Sequence, residues 1–571
     1  MLCVDEVLCE TVTEGNKKSI IVWSVYFDMN KKLLERAEYL LSKEKGTVFK
    51  DPGGKINIAL VYPNSYPVGM SNLGFQGIYG LLNAMNDVVC ERAFLPGAEE
   101  IEEHIRTGAE IFTLESKRQL SRFDIVAFSV SFENDYPNIV KILKMANIPP
   151  RTAERSAGHP VVVMGGVCAF YNPEPLAAFF DICFIGEAEE MLPEFLSVFR
   201  GSSSKDDLYE RAAGVEGIYV PAYYEVDYAA DGRILARRGI HDAPASIRKR
   251  TVIDISESPM KPVITTPEAE FSDMFLIEAM RGCVWSCRFC VAGRIYKPAR
   301  RKDIEVIRRE IEDASAMTPK IGLIGPSLSD YPHAEEVLAI EGVDFSITSL
   351  RASPRSGRIV GLMKGHKSVS IAPEAGTRRL RDVVNKKITD EDIFETAKII
   401  LDDGIETLRL YFMIGLPTET MADVEGIIAL VKKIRENTAR GYITLSVSTF
   451  VPKPFTPFQW HPMAPLKEVK ERLKHLKKGL TAVRGVKVFH DVPKYAYMQG
   501  FFSLGDRRVS ETAEQIASGS DLYSGNGAKG LDRDFYIFRQ KDREEMLPWD
   551  FIDIGVSKEE LWREYREAVG I

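Results

Sequence analysis

Cysteine and histidine are both scarce in this 571-residue chain, at eight residues each, and no apolar run reaches the length of a membrane span. Five of the cysteines, Cys3, Cys9, Cys90, Cys168 and Cys183, lie scattered, which excludes a secreted disulfide framework and suits a reducing cytoplasm. The longest apolar stretch near the start, residues 19–27, is too short to span, and no small-residue cleavage site comes after it. Positive charge is not in excess either. Lys and Arg total 74 against 82 Asp and Glu, so the net charge of -8 gives no global reason to bind nucleic acid, although a local patch can still do so. Residues 1–28 bear no periodic relation to the rest of the chain. Met29 is therefore read as the natural start and 1–28 as a mis-called extension, the alternative being a short added strand.

What is present is a globular composition, 45% hydrophobic and 27% charged, on a chain long enough for two to four domains. Its most specific feature is the run Cys283-Val-Trp-Ser-Cys287-Arg-Phe-Cys290. Thiols at i, i+4 and i+7 can converge within about two helical turns. A structural zinc site wants four protein ligands, whereas a four-iron cubane held by three thiolates leaves one iron open to a small molecule. A zinc knuckle and three unrelated buried thiols are the structural alternatives. The spacing, with Phe289 before the last cysteine, resembles the cluster loop of radical SAM enzymes. That resemblance implies a [4Fe-4S] cluster on Cys283, Cys287 and Cys290, with S-adenosylmethionine chelated at the open iron. One electron, from a donor such as flavodoxin or ferredoxin, would then cleave the sulfonium to a 5'-deoxyadenosyl radical.

Residues 29–200 alternate apolar strand-length runs with helical patterns. A helix is expected over 30–46, a strand over 55–62 and a helix from Leu73 to Ala84. The rhythm returns at Asp124–Ser131, Pro160–Gly166 and Phe180–Gly186, the last before a helix at Glu189–Phe199. Strands apolar on both faces and alternating with helices make a doubly wound parallel sheet, whose ligands bind beyond the strand carboxyl ends. With Gly165-Gly166, Asn172-Pro-Glu-Pro175 and Gly186-Glu187, this region resembles the cobalamin-binding domain of B12-type radical SAM enzymes. The resemblance implies corrin contacts from Asn64, Gly69, Gly165, Gly166, Gly186 and Glu187. One departure stands out: the Asp-x-His-x-x-Gly loop that supplies a lower cobalt ligand is missing, and the first histidine is His104. Either the corrin binds without a histidine ligand, or the Rossmann-like fold persists without the cofactor.

Residues 201–270 read as a linker with small connecting structure, 271–463 as the core and 464–571 as an extension. Core strands are expected at Phe275–Met280, Ile321–Ile324, Asp344–Thr348, Ser368–Ala372, Thr407–Met413 and Thr444–Phe450, with helices between them. The fold class is thus α/β: a doubly wound sheet, a partial (β/α)6 TIM-type barrel with its site at the strand carboxyl ends, and a small α+β C-terminal region.

Within that barrel the resemblance implies S-adenosylmethionine contacts. Gly325 and Ser327, in the turn after the second strand, take the place of a Gly-rich turn that meets the amino group, though the familiar Gly-Gly-Glu is absent. Arg351 matches the carboxylate bidentately, and Glu374 can accept from the ribose hydroxyls. For these two a salt bridge at the barrel rim is the alternative. Gly415, in Met-Ile-Gly-Leu-Pro-Thr-Glu419, lets the backbone approach the adenine. Lysines 467, 470, 474, 477 and 478 mark a helix over 466–485, read as a solvated face with contact to RNA phosphates as the other reading.

Ser503-Leu-Gly-Asp-Arg-Arg508, 548–557, Ala372–Gly376 and the Pro-Lys-Pro-Phe-Thr-Pro-Phe phrase resemble a bacterial family of B12-type radical SAM proteins of unestablished activity, from about residue 30 to the end. The expected function is radical cleavage of S-adenosylmethionine serving cobalamin-dependent methylation of an unactivated carbon. The alternatives are corrin-independent, methylthiotransferase-like modification of RNA or another substrate, and a non-catalytic Fe-S scaffold. Against the first alternative, residues 30–270 contain no second cysteine triplet.

Overall fold

Strand β1, Ile56–Tyr62, is the middle of the N-terminal unit, and its last five residues are buried. In this computed structural model, residues 31–347, 350–363, 366–438, 440–520 and 532–571 are described, so the extension 1–28 and the start at Met29 lie outside the described residues. The first helix spans Lys31–Lys43 and buries Leu33, Ala37 and Leu40, one stripe at helical spacing. After β1, Asn72 caps the helix Leu73–Ala84 by accepting from the Phe75 N–H.

β2, Val88–Phe94, is not marked by the periodicity and is buried along its whole length. Its mid-strand Arg92 is only 1% exposed and is satisfied by Glu44 and Glu115 at 2.7 Å. β3 (Ile125–Ser129), β4 (Val161–Gly165) and β5 (Ile182–Phe184) come where the apolar runs place them, separated by the helix Tyr136–Met145 and shorter helical turns. β6, Ile218–Tyr219, closes the sheet in the order 2-1-3-4-5-6, antiparallel to β5 and otherwise parallel throughout. The order reverses between β1 and β3, which makes their carboxyl ends the ligand crevice of a doubly wound sheet.

Residues 201–270 hold more than a connection. They contain the helix Lys205–Ala213, the edge strand β6, an antiparallel hairpin of β7 (Tyr224–Tyr228) and β8 (Ile234–Gly239), and the short β9 (Ile247–Arg248).

β10, Phe275–Glu278, opens the core, and the antiparallel pair β11 (Met280–Arg281) and β12 (Arg300–Arg301) brackets the cysteine loop. β13 (Lys320–Ile324) and β14 (Asp344–Ile347) complete a three-stranded parallel sheet. A four-stranded parallel sheet contains β15 (Ser368–Glu374), β16 (Thr407–Ile414), β17 (Tyr442–Thr449) and β18 (Val486–His490). Among the described residues an isolated bridge, Leu350 to Ile371, joins the two.

The result is an open α/β arc of parallel strands and not a closed barrel. It differs from the six-stranded expectation by β18, a seventh strand on the outer edge. Val486-Lys-Val-Phe-His490 comes after the Lys-rich helix, which ends at Leu480, and is too short and too polar to register as a core strand. Helices Asp390–Asp402, Met421–Glu436 and Leu466–Leu480 pack on the outer face of the larger sheet. β19, Ile552–Asp553, returns to pair in parallel with β9, tying the end of the chain to the segment between sheet and core.

Candidate functional site

Gly282, at φ +79°, turns the chain out of β11 under the Tyr296 carbonyl, which would stand 2.3 Å from any Cβ there. Only glycine fits that turn, and it delivers Cys283, Cys287 and Cys290 as free, partly exposed thiols. Burial raises all three thiol pKa values, and positive charge opposes it at two of them: Lys386 and Arg351 beside Cys287, Arg351 beside Cys283. Cys290 is assisted instead by the backbone N–H groups of Gly293 and Ala292. Among the described residues no three His, Cys, Asp or Glu side chains converge to hold a metal ion. A tetrahedral zinc site would draw its ligands onto one ion, whereas each thiolate of a cubane takes a different iron. Three accessible thiols on one loop, ringed by cations and backbone N–H groups, fit a cluster.

The loop is held from three sides. The Trp285 indole N–H donates to Asp330 at 2.6 Å, and the Ser327 hydroxyl donates to the same carboxylate oxygen. Asn385 donates to the Ser286 carbonyl at 2.9 Å, and Arg288 to the Val383 carbonyl at 2.9 Å. On the third side stands the C-terminal helix Lys558–Val569, whose Glu564 binds Arg294.

Several expected S-adenosylmethionine contacts meet here, with partners from the chain itself. Ser327 is engaged by Asp330, and Gly325 packs against Met280. Arg351 stacks over Trp285 at 3.6 Å while one of its nitrogens donates to the Lys386 and Lys387 carbonyls. Glu374, at φ +68°, forms a 2.9 Å ion pair with Lys386, which is the rim salt bridge, made with a lysine that no motif marks. Gly415, at φ +90°, lies beyond the end of β16, where its N–H and that of Leu416 donate to Glu419. Desolvation pushes Glu419 up to about 7 even though Arg472 pairs with it at 3.2 Å. Trp285, Asp330, Lys386 and Glu564 are not legible in sequence as site residues, because each is defined by a partner distant along the chain.

The six residues expected to meet a corrin are mostly engaged by the chain itself. A Cβ on Gly69 would stand 2.5 Å from the Phe94 ring, and one on Gly166 would stand 2.6 Å from the Val130 carbonyl. Gly186 bridges to Arg250, 2.4 Å from its carbonyl by the same measure. Glu187, 4% exposed, accepts two bonds from Arg300 at 2.7 Å, an ion pair from Arg281 at 3.0 Å and the Val252 N–H at 2.8 Å. It is therefore a clamp between sheet and core. Asn64 donates to Asp135 at 2.8 Å at the crevice, and of the four glycines only Gly165 has no atom within 4 Å of a would-be Cβ. Gly165, Gly166 and Gly186 nonetheless line one apolar cavity of the sheet, together with Ser129, Leu192 and Phe195.

Sheet and core meet directly. Glu133, after β3, accepts from Tyr171 at 2.7 Å, Gln499 at 3.0 Å and Lys453, the last from the Pro-rich strap after β17. Asn172 donates to the Ser503 and Gly505 carbonyls, and Glu174 pairs with Arg237 and Arg507. The Asn-Pro-Glu-Pro and Ser-Leu-Gly-Asp-Arg-Arg phrases, conspicuous separately in the sequence, thus bind one another.

Residues 277–431 match the family model described as the radical SAM superfamily, and residues 74–221 match that described as radical SAM proteins, N-terminal. The chain is a radical SAM protein, an enzyme class whose cofactors are a [4Fe-4S] cluster and S-adenosylmethionine. It is 28% identical over 494 residues to an uncharacterized protein of Methanocaldococcus jannaschii, covering 85% of this chain and 97% of that one. It is 24% identical over 227 residues to the tRNA-2-methylthio-N(6)-dimethylallyladenosine synthase of Anaplasma phagocytophilum, covering 36% of this chain and 49% of that enzyme. Among solved structures it is similar to the cobalamin-dependent S-adenosylmethionine radical enzyme OxsB, at 13% identity and a TM-score of 0.44, covering 68% of this chain and 53% of that one. The chain thus spans about half the length of each of these last two. No helix among the described residues is long and apolar enough to cross a membrane.

Proposed function

We propose that the chain cleaves S-adenosylmethionine reductively on a cluster held by Cys283, Cys287 and Cys290, and uses the resulting radical to methylate an unactivated carbon. The observation that carries this reading is the placement of three partly exposed thiols on one loop between β11 and β12, with Arg351 and Lys386 beside them. Cys283, Cys287 and Cys290 would hold the cluster, which when bound would supply the electron for reductive cleavage of S-adenosylmethionine.

The chain's own residues prepare that step. Arg351 and Lys386 favour the thiolate of Cys287, Trp285 and Asp330 fix the loop, and Glu374 stands at the rim within charge range of Cys287 and Cys290. In this reading the electron comes from a donor such as flavodoxin or ferredoxin. The adjoining doubly wound sheet, with Gly165, Gly166 and Gly186 on one apolar cavity, favours a corrin-carried methyl group over other group transfers. A second reading, methylthio transfer to RNA, is favoured by the name of the Anaplasma relative and by the exposed lysines of the helix Leu466–Leu480.

The test is anaerobic reconstitution with iron and sulfide, then dithionite and S-adenosylmethionine. Formation of 5'-deoxyadenosine, lost together with the bound iron in Cys283→Ala, Cys287→Ala and Cys290→Ala, supports the radical step. Iron uptake without deoxyadenosine would leave only a scaffold. Retention of one hydroxocobalamin per chain after desalting favours the corrin reading, and its absence together with retention of tRNA favours the second.

A further inference from the structure

Parallel sheets are ordinarily covered on both faces. Among the described residues, helices cover the sheet β15 to β18 on one face. Its outward residues, such as Leu410 and Leu445, are fully buried against the helices. The inward row runs from Ser370 through Arg409 and Thr444 to Lys487, each directly opposite the next. Arg409 and Lys487 are both exposed, and among the described residues neither has an ion pair or hydrogen bond. One row nearer the strand ends, Tyr411 and Ser446 lead to Phe489, which is 60% exposed. Two cations without partners and an open aromatic ring on one concave face, in a chain of net charge -8, form an uncompensated positive surface facing inward.

We propose that this face is the substrate floor, and that Arg409 and Lys487 anchor the oxyanion, carboxylate or phosphate, of a small substrate whose planar body lies on Phe489. The inference rests on the radical reading above and adds the substrate's chemistry to it. Neighbouring strands lie about 4.8 Å apart, so the two Cα atoms flank Thr444 at roughly 10 Å, a gap that an arginine and a lysine side chain can close on one anion. Across a register shift in β15, Glu374 lies opposite Phe412, three residues beyond Arg409 and so roughly 10 Å further along at about 3.3 Å per residue. A substrate of that length, held at its anionic end, brings its far end to the rim beside the thiol loop.

The experiment is labelling of the reconstituted protein with pyridoxal 5'-phosphate. Its aldehyde condenses with a lysine amine, losing water, and borohydride adds hydride to the imine carbon to fix a secondary amine. The phosphate of the reagent should be steered by Arg409. Removing one charge-assisted contact is worth about tenfold, so Lys487 should be labelled about tenfold faster than Lys470 or Lys474, and Arg409→Ala should erase that preference. Thr444→Asp, which sets a carboxylate between the cations, should erase it independently should Arg409→Ala fold poorly. Protection by inorganic phosphate but not succinate identifies a phosphate-bearing substrate, and the reverse a carboxylate-bearing one. Equal labelling of Lys487 and the helix lysines, unchanged in both variants, would overturn the inference. Deoxyadenosine formation by the unmodified protein is scored separately. Its failure sinks the radical reading, while success without preferential labelling sinks only the anion site.

Discussion

Arg294, fully buried behind the cysteine loop, is gripped by both carboxylate oxygens of Glu564 at 2.9 and 2.7 Å, across 270 positions of sequence. Arg288 reaches Glu567 of the same helix at 3.0 Å, and Lys297 approaches Glu560 at 3.7 Å. The order of the thiol loop therefore depends on the last helix of the chain. Breaking a buried ion pair by removing one partner leaves an uncompensated charge.

Glu564→Gln should loosen the loop. Because Glu564 keeps 15% of its surface exposed, the cost is expected at about 2–3 kcal/mol, below the full value for a buried pair. The measurements are thermal midpoint and iron retained per chain after reconstitution and desalting. Lower iron with the rest of the fold intact is the expected outcome, and wild-type iron at an unchanged midpoint would show that the helix merely covers the loop.

The buried Glu174 makes a prediction on the acid side. Desolvation pushes its carboxyl up, but Arg237 and Arg507 outweigh that and hold it down at about 2. An unfolded glutamate titrates near 4.3, so the folded chain binds fewer protons in between. This stabilisation is complete above about pH 4.5 and fades as pH falls toward 2, amounting to about 3 kcal/mol at neutral pH. In Glu174→Gln the stability deficit relative to wild type should be largest at neutral pH and shrink through that window. Tryptophan fluorescence during acid unfolding reads it, and a deficit independent of pH would contradict the assignment.

Arg351 stacks its guanidinium on Trp285, a contact that depends on a planar cation. Arg351→Lys keeps the charge and loses the stacking. The S-adenosylmethionine concentration needed for half-maximal deoxyadenosine formation should rise about tenfold, as expected for losing one favourable cationic contact. An unchanged requirement would place Arg351 outside the nucleotide site.

Legibility tracks locality. Val161–Gly165 announces itself because an apolar run bounded by glycine needs no outside information, and the cysteine triplet is a short-range pattern. β2 is hidden because Glu91 and Arg92 contradict a buried strand until Glu44, 48 positions before Arg92, and Glu115 are brought beside them. Gly186-Glu187 looks like a ligand loop for the opposite reason. A glycine and a carboxylate at a strand end suit a cofactor, but once the chain folds back Arg281 and Arg300 pair with Glu187, while Gly186 bridges to Arg250 and still lines the cavity. Gly69 likewise serves close packing, which sequence cannot distinguish from close approach to a ligand.

Lys541 is buried to 4% exposure, and its ammonium donates to the Tyr536 carbonyl at 2.9 Å without a carboxylate in bonding contact. Desolvation, with Arg539 nearby, pushes its amine down to about 7, only partly opposed by Glu545. An unfolded lysine titrates near 10.4, so between about pH 7 and 10 the unfolded chain carries a proton that the folded chain has released. Stability contributed at this site therefore rises with pH across that window and is lowest below about 7, where the fold must bury a cation. Lys541→Met removes the penalty while keeping an unbranched stem. The variant should have the higher thermal midpoint near pH 6.5, and its advantage should vanish as the pH approaches 10. Midpoints of both proteins measured across that range decide it: a variant less stable at the acid end, or an advantage that does not change with pH, would mean that the ammonium's bond to Tyr536 outweighs the cost of burying it.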